Sequence, residues 1–272
     1  MAAIAAYWAR GAIALQRVSA GGASYYRNEA WSELRHGIFT RHGGVSQSCW
    51  NSLNLGASIG DNPEAVRENH RRMYNALDVN PGRAVSTWLV HSVAVKVVDA
   101  RSKINGNLEQ ADAIITNQPD TPLVMRYADC VPLLLYDSVK GAIALAHAGW
   151  RGTVQGMAAA TVRALESAFA CRPEDLQALI GPAISRRNYQ VGEAVAAQAL
   201  AYFGAEAGVV TRDAAAGSAY LDLWRANRLD LERQGVHKIQ VLDICTYDNT
   251  ADFYSHRAEN GKTGRFGVVI SL

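Results

Sequence analysis

The chain is short of nearly everything that marks a specialised protein class. It holds only four cysteines and seven prolines in 272 residues, its net charge is +2, and charged residues make up 19%. Cys49, Cys130, Cys171 and Cys245 show no paired spacing, so a secreted disulfide scaffold is not expected and a reducing, cytoplasmic setting is. No stretch reaches 18 uninterrupted apolar residues, which excludes a membrane-spanning helix. The near-balanced charge provides no basic stripe for nucleic acid or an anionic membrane, so any anionic ligand must be met by a few local arginines. There is no internal repeat, low-complexity run or linker rich in proline and serine.

What remains is a chain 49% hydrophobic, enough for a sizeable core. Residues 1–24 read as an N-terminal extension and 25–272 as one domain. The extension lacks acidic residues before Glu29, as export signals do, but Arg10 and Arg17 interrupt any hydrophobic stretch in it. Residues 36–56 read as a short strand followed by a long, ordered loop rich in glycine, serine and asparagine. Asp61-Asn62-Pro63 then supplies a capping side chain and a first-turn proline for a helix ending near Leu77.

Strands are expected at Val93–Val98, Ala113–Thr116, Leu123–Arg126, Val131–Tyr136 and Ala142–Ala146. The last two are continuously apolar, as strands covered on both faces are. Apolar residues from Val154 to Phe169 recur at three- and four-residue steps, predicting one amphipathic helix. Further helices are expected at 192–203 and 223–234, and strands at 239–243 and 266–271. The mixture predicts a single α/β/α layered domain with a mixed sheet.

Cys130 opens one apolar strand and His147 closes the next, so a hairpin turning between Asp137 and Gly141 brings both to the same sheet edge. His91 starts an earlier strand-like run. One thiolate and two imidazoles suit zinc, or copper in vitro, with a fourth position open. The spacing is equally compatible with a metal-free thiolate–imidazolium nucleophile pair, or with two unremarkable core side chains.

FTRHGGVS with NSLNLG, then GDNPEAVREN, ADAIIT, ADCVPLLLYD, AHAGWRGT, IGPAIS with YQVG, DICTY and FYSHRAENGKTGRF follow one another over about residues 36–270. This succession resembles the laccase-domain or polyphenol-oxidase-like family, whose members are regarded as purine nucleoside phosphorylases with adenosine deaminase activity. The resemblance implies metal ligands at His91, Cys130 and His147. It implies small-molecule partners, a purine nucleoside and phosphate, for a monomer or homodimer. The substrates implied are adenosine, inosine and methylthioadenosine. Where the family has Gln-Val-His-Gly, this chain reads Leu89-Val90-His91-Ser92, so a weaker metal site is expected. His256 stands where the family usually has an aromatic residue.

Arg41, Arg151, Arg257 and Arg265 lie in the matched segments and are candidates for phosphate, Arg41 and Arg151 foremost. Arg151 precedes a helix expected to begin near Thr153, whose amides favour an anion. Asn54 and Tyr254 are candidates for sugar or base. Asp129 is the nearest acidic candidate for proton transfer, although strand alternation turns it away from Cys130. A four-copper oxidase is excluded by ligand count: it needs about ten histidines, and the chain has seven, none two residues from another. The remaining alternatives are a cysteine hydrolase using Cys130 and His147, a weak single-copper phenol oxidase, and a metal-sensing partner protein.

Overall fold

Strands β7 (Val131–Asp137) and β8 (Ala142–Ala148) lie side by side, buried along their whole length. They pair antiparallel, with Pro132 opposite His147 and Asp137 opposite Ala142. The Asp137 carboxylate closes their turn by accepting hydrogen bonds from the amides of Val139 and Lys140 at 2.8 and 2.9 Å. Gly141 completes the turn at φ +58°. The computed structural model describes residues 15–102, 108–213 and 217–272.

Around this hairpin runs a mixed six-stranded sheet. Its order is β13 (Lys238–Val241), β9 (Gln177–Ile180), β7, β8, β5 (Ala113–Thr116) and β4 (Val95–Val98). β13 with β9 and β4 with β5 are parallel; the other pairs are antiparallel. A second sheet is wholly antiparallel, in the order β1 (Leu15–Ala20), β2 (Ala23–Asn28), β3 (Arg35–Phe39), β14 (Phe266–Ser271) and β6 (Leu123–Tyr127). A small third sheet joins β10 (Gln190–Val191), β12 (Ser218–Leu221) and β11 (Val210–Asp213).

Period-two alternation sorts the side chains into layers. Leu134, Tyr136, Ile143 and Leu145 meet Met125, Tyr127, Val268 and Ile270 between the two large sheets. On the other face of the six-stranded sheet, Leu133, Leu135, Ala144 and Ala146 pack with Val162 and Leu165 of α3 (Met157–Phe169) and Leu231 of α5 (Leu223–Arg233). The far face of the second sheet, with Tyr25, Phe39, Val124 and Val269, is covered by Met73, Ala76 and Leu77 of α1 (Pro63–Leu77). The expected α/β class holds, with one more sheet than expected between the helix layers. Each leucine buried this way contributes about 1.5–3 kcal/mol, against about 0–1 for an exposed ion pair. Core packing therefore positions the hairpin that carries Cys130 and His147.

Helix α1 has the expected bounds, its first amides capped by the Asn62 side chain. The helix expected from Val154 to Phe169 is instead two: α2 (Trp150–Val154) and α3. They part at Gly156, whose φ of +82° favours glycine and where a Cβ would lie 2.3 Å from the Tyr202 hydroxyl. α4 (Glu193–Phe203) follows. The expected boundary at residues 24 and 25 falls inside β2, and pairing with β1 begins at Leu15; the rest of the extension lies outside the described residues.

His70 of α1 donates from Nε2 to the carbonyl of Leu55 at 3.0 Å, since a carbonyl can only accept. Burial pushes its pKa from 6.5 down to about 4, against the raising effect of that hydrogen bond. A depressed histidine pKa means the unfolded chain binds more protons. The stability contribution is therefore full above about pH 6.5 and lost as pH falls through about 4. His70→Gln should flatten this acid limb in equilibrium unfolding followed between pH 7 and 4; an unchanged limb would assign it to other groups.

Candidate active site

Cys130 immediately precedes β7, and His147 is the penultimate residue of β8. His91 lies on the loop before β4, in the left-handed region at φ +59°. The expected convergence occurs: the thiol sulfur and one ring nitrogen from each histidine all lie within 4.8 Å of one another. A tetrahedral zinc with bonds of about 2.0–2.3 Å sets its ligands roughly 3.3–3.8 Å apart, inside that limit. Among the described residues this is the sole such cluster of histidine, cysteine or carboxylate groups. The thiolate and two imidazoles fit a tetrahedral ion with one position open.

Asp112 holds this arrangement, a residue that sequence reasoning passed over. It is fully buried at the head of β5, and because Ala113 pairs with Ala146 it stands opposite His147. One carboxylate oxygen contacts His147 Nδ1 at 3.0 Å and accepts the His91 amide at 3.0 Å. The other accepts the amides of Val90 and Ser92 and the Ser92 hydroxyl, at 3.2, 2.7 and 2.9 Å. Three successive amides converging on one anion form a nest, which stabilises the left-handed His91. Burial alone would raise the Asp112 pKa, but these donors and the His147 charge lower it to about 2. An ionised Asp112 keeps the proton on Nδ1 and leaves Nε2 free to face Cys130.

In the metal-free state, burial would push the Cys130 thiol up. The charge and hydrogen bonds of His147 and His91 prevail and hold it below its ordinary range. His147 is correspondingly held above its own range, despite burial, by the Cys130 thiolate and Asp112. The pair is thus biased toward thiolate and imidazolium. Ser92, at a position expected to weaken the site, adds a hydroxyl bond to Asp112 that glycine lacks. Leu89 forms part of the apolar wall.

The triad floors a cleft of about 610 Å³. Trp88, Trp150 and Tyr189 contribute aromatic surface, and Ile59, Leu89 and Leu108 aliphatic surface. Three arginines line it: Arg126, Arg257 and Arg265. His256 lines it as well. Of the expected phosphate residues, then, Arg257 and Arg265 face the cleft, and Arg126 was not foreseen.

Arg41 and Arg151 are not among the lining residues. The Arg41 guanidinium donates to the carbonyls of Asn51 and Thr250 and to Glu259, and lies 4.4 Å from the Tyr254 ring centroid. Arg151 stacks over Trp150 inside the first turn of α2, which begins three residues before the expected Thr153. Asn54 and Tyr254 are fully buried scaffold. Asn54 accepts the amides of Gly56 and Arg265 at 2.9 Å each, and Tyr254 donates to the Trp50 carbonyl at 2.6 Å.

Asp129 borders the cleft, but its carboxylate is spoken for. At φ +84° its side chain turns to accept the hydroxyls of Thr246 and Ser255 at 2.6 and 2.7 Å and the Arg257 amide at 2.6 Å. Both oxygens are engaged by neutral donors, which fits a positioning role better than proton transfer.

Gly149 separates Cys130 from His91. A Cβ there would lie 3.0 Å from the Cys130 sulfur and 3.0 Å from His91 Cδ2. Gly149→Ala must displace Cys130 or His91 by a few tenths of an ångström, so a metal ion at the cluster should bind on the order of tenfold more weakly. Competition with a chromophoric chelator measures this, and an unchanged affinity would show that the ligands relax freely.

The model of the multi-copper polyphenol oxidoreductase laccase family matches residues 35–272. A purine nucleoside phosphorylase of Deinococcus radiodurans is 40% identical over 237 residues, covering 87% of this chain and 88% of the relative. One from Bacteroides thetaiotaomicron is 34% identical over 257 residues, covering 90% and 95%. The crystal structure of YlmD from Geobacillus stearothermophilus superposes with a TM-score of 0.87 at 32% identity, covering 94% of this chain and 97% of that one. YfiH of Bacillus licheniformis gives a TM-score of 0.88 at 29% identity, covering 95% and 98%. Among the described residues, no helix is long and apolar enough to cross a membrane.

Proposed function

The chain belongs to the multi-copper polyphenol oxidoreductase laccase family, and from that membership and its His/Cys/His cleft we propose that it is a purine nucleoside phosphorylase. In this reading it cleaves adenosine, inosine and methylthioadenosine with phosphate to the free base and the corresponding ribose 1-phosphate, with adenosine deamination as a side activity. The names of its relatives support the reaction class. The observation that carries it to this chain is the convergence of His91, Cys130 and His147 at the floor of a cleft that also presents arginines.

His91, Cys130 and His147 would hold zinc, with copper as a substitute in vitro. A bound ion supplies Lewis acidity at the substrate. Arg257 and Arg265 offer planar donors to phosphate oxygens. Trp88, Trp150 and Tyr189 provide flat apolar surface for a purine. Leu89 and Ile59 keep the wall apolar and limit competing water. Asp112 fixes the His147 tautomer, and Asp129 holds the strand mouth from which Cys130 projects. A cytoplasmic enzyme, monomeric or homodimeric, is consistent with four unbridged cysteines.

A second reading rests on the hydrogen bonding of Cys130 with His147, which favours the thiolate without metal. A cysteine hydrolase, an amidase or deamidase, would use that pair directly. One experiment separates the two. Purified protein incubated with adenosine and phosphate should release adenine and ribose 1-phosphate, and chelation followed by zinc restoration should remove and return this activity. Metal-replete protein that turns over adenosine no better than a His147→Ala control sinks the phosphorylase reading. Amide hydrolysis that survives chelation establishes the second.

A further inference from the structure

One cation in the cleft is unused by the reading above. Arg126 belongs to β6, where it pairs with Gly267 of β14. Arg265 precedes Gly267 by two residues, so it leaves the sheet on the same face as Arg126, as its diagonal neighbour. Glycine keeps this corner open for side chains. A Cβ on Gly56 would lie 2.9 Å from Arg265 Cγ, and one on Gly267 would lie 2.4 Å from Leu55 Cδ1. The Arg265 amide is meanwhile tied to Asn54 Oδ1.

Arg126 is poorly satisfied. Among the described residues its guanidinium makes one hydrogen bond, from Nη2 to the Thr87 carbonyl at 3.3 Å, whereas a guanidinium has five N–H donors. Burial lowers its pKa, and its charge is felt by His70 behind it. Among the described residues no carboxylate lies within 4.0 Å of the Arg126, Arg257 or Arg265 guanidinium. Keeping a desolvated cation without a counter-ion is costly unless a ligand anion completes it.

We propose that Arg126, with Arg265 beside it on the same sheet face, forms a phosphate subsite of the cleft. The group bound is a phosphate oxyanion: inorganic phosphate, or the phosphate ester of a phosphorylated nucleoside. The inference rests on the phosphorylase reading for its choice of phosphate among anions. Arg126 is a binding residue here, and no bond is made or broken at it.

Calorimetric titration of wild type and Arg126→Met with inorganic phosphate, adenosine 5′-monophosphate and adenosine tests it without turnover. Phosphate binding about tenfold or more weaker in the variant, with adenosine unchanged and partial recovery in Arg126→Lys, assigns the subsite to inorganic phosphate. The same loss for the monophosphate alone assigns it to the ester. Equal binding of both anions by wild type and variant overturns the proposal. Should Arg126→Met fail to fold by circular dichroism, wild-type crystals soaked in tungstate decide: anomalous density within hydrogen-bond reach of Arg126 supports the subsite, and its absence there rejects it. If phosphate binding depends on Arg126 while no nucleoside is ever cleaved, the subsite stands and the phosphorylase reading falls.

Discussion

Cys130→Ala is expected to abolish stoichiometric zinc binding and to lower nucleoside cleavage by about 10³-fold or more, the several kcal/mol that an electrophilic ion supplies. Cys130 is the sole thiolate among the three donors, and a thiolate favours zinc or copper over hard cations. The sulfur also offsets the charge of His147, so its removal should return that imidazole toward neutrality. The fold should tolerate the change, because Cys130 is only partly buried and stands outside the strand proper. Metal content by plasma emission, kcat for adenosine and the unfolding midpoint are measured on the same preparation. Full activity in Cys130→Ala would refute the site assignment, whatever the chemistry.

Asp112→Ala should damage stability and metal binding together. The substitution strands three part-buried amides, the Ser92 hydroxyl and His147 Nδ1 without their shared acceptor. Removing one member of a buried charged network typically costs about 3–5 kcal/mol. For a chain of this size that lowers Tm by roughly 5–9 °C. Loss of an outer carboxylate behind a histidine ligand weakens metal affinity by about 10–100-fold. Asp112→Asn retains an oxygen acceptor and should recover part of the stability but less of the affinity. Equal loss of both in the two variants would mean that the carboxylate acts only as packing. The His91 side of the site should suffer more than the Cys130 side, since four of the five bonds fall on residues 90–92.

Much of this was legible because it depended on local pattern. Asn62-Pro63 announces α1, and its apolar stripe carries to Leu77. The doubly apolar runs of β7 and β8 announce a buried hairpin, and the hairpin alone brings Cys130 beside His147. What escaped depended on contacts between distant segments. The second sheet takes β14 from the end of the chain and inserts it between β3 and β6, a pairing that no local signal encodes. Asp112 could be recognised only once β5 was known to lie against β8, although ADAIIT stood in plain view. Arg41 and Arg257 look alike in sequence, yet one guanidinium is absorbed by carbonyls and Glu259 and the other borders the cleft.

The family description speaks of several coppers, and the structure supports the contrary count. Of seven histidines, His91 and His147 alone converge on a thiolate, while His36 and His70 are bound to backbone groups elsewhere. A single ion is what these donors can hold.

Only Ala128, Asp129 and Cys130 lie between the end of β6 in one sheet and the start of β7 in the other. A hinge so short leaves no slack between the half of the cleft that carries Arg126 and the half that carries the ligand triad. Any adaptation to a new substrate must therefore arise in the outer segments around residues 56–59 and 256–257. Those segments are exchangeable parts, and the corner is the chassis on which they are mounted.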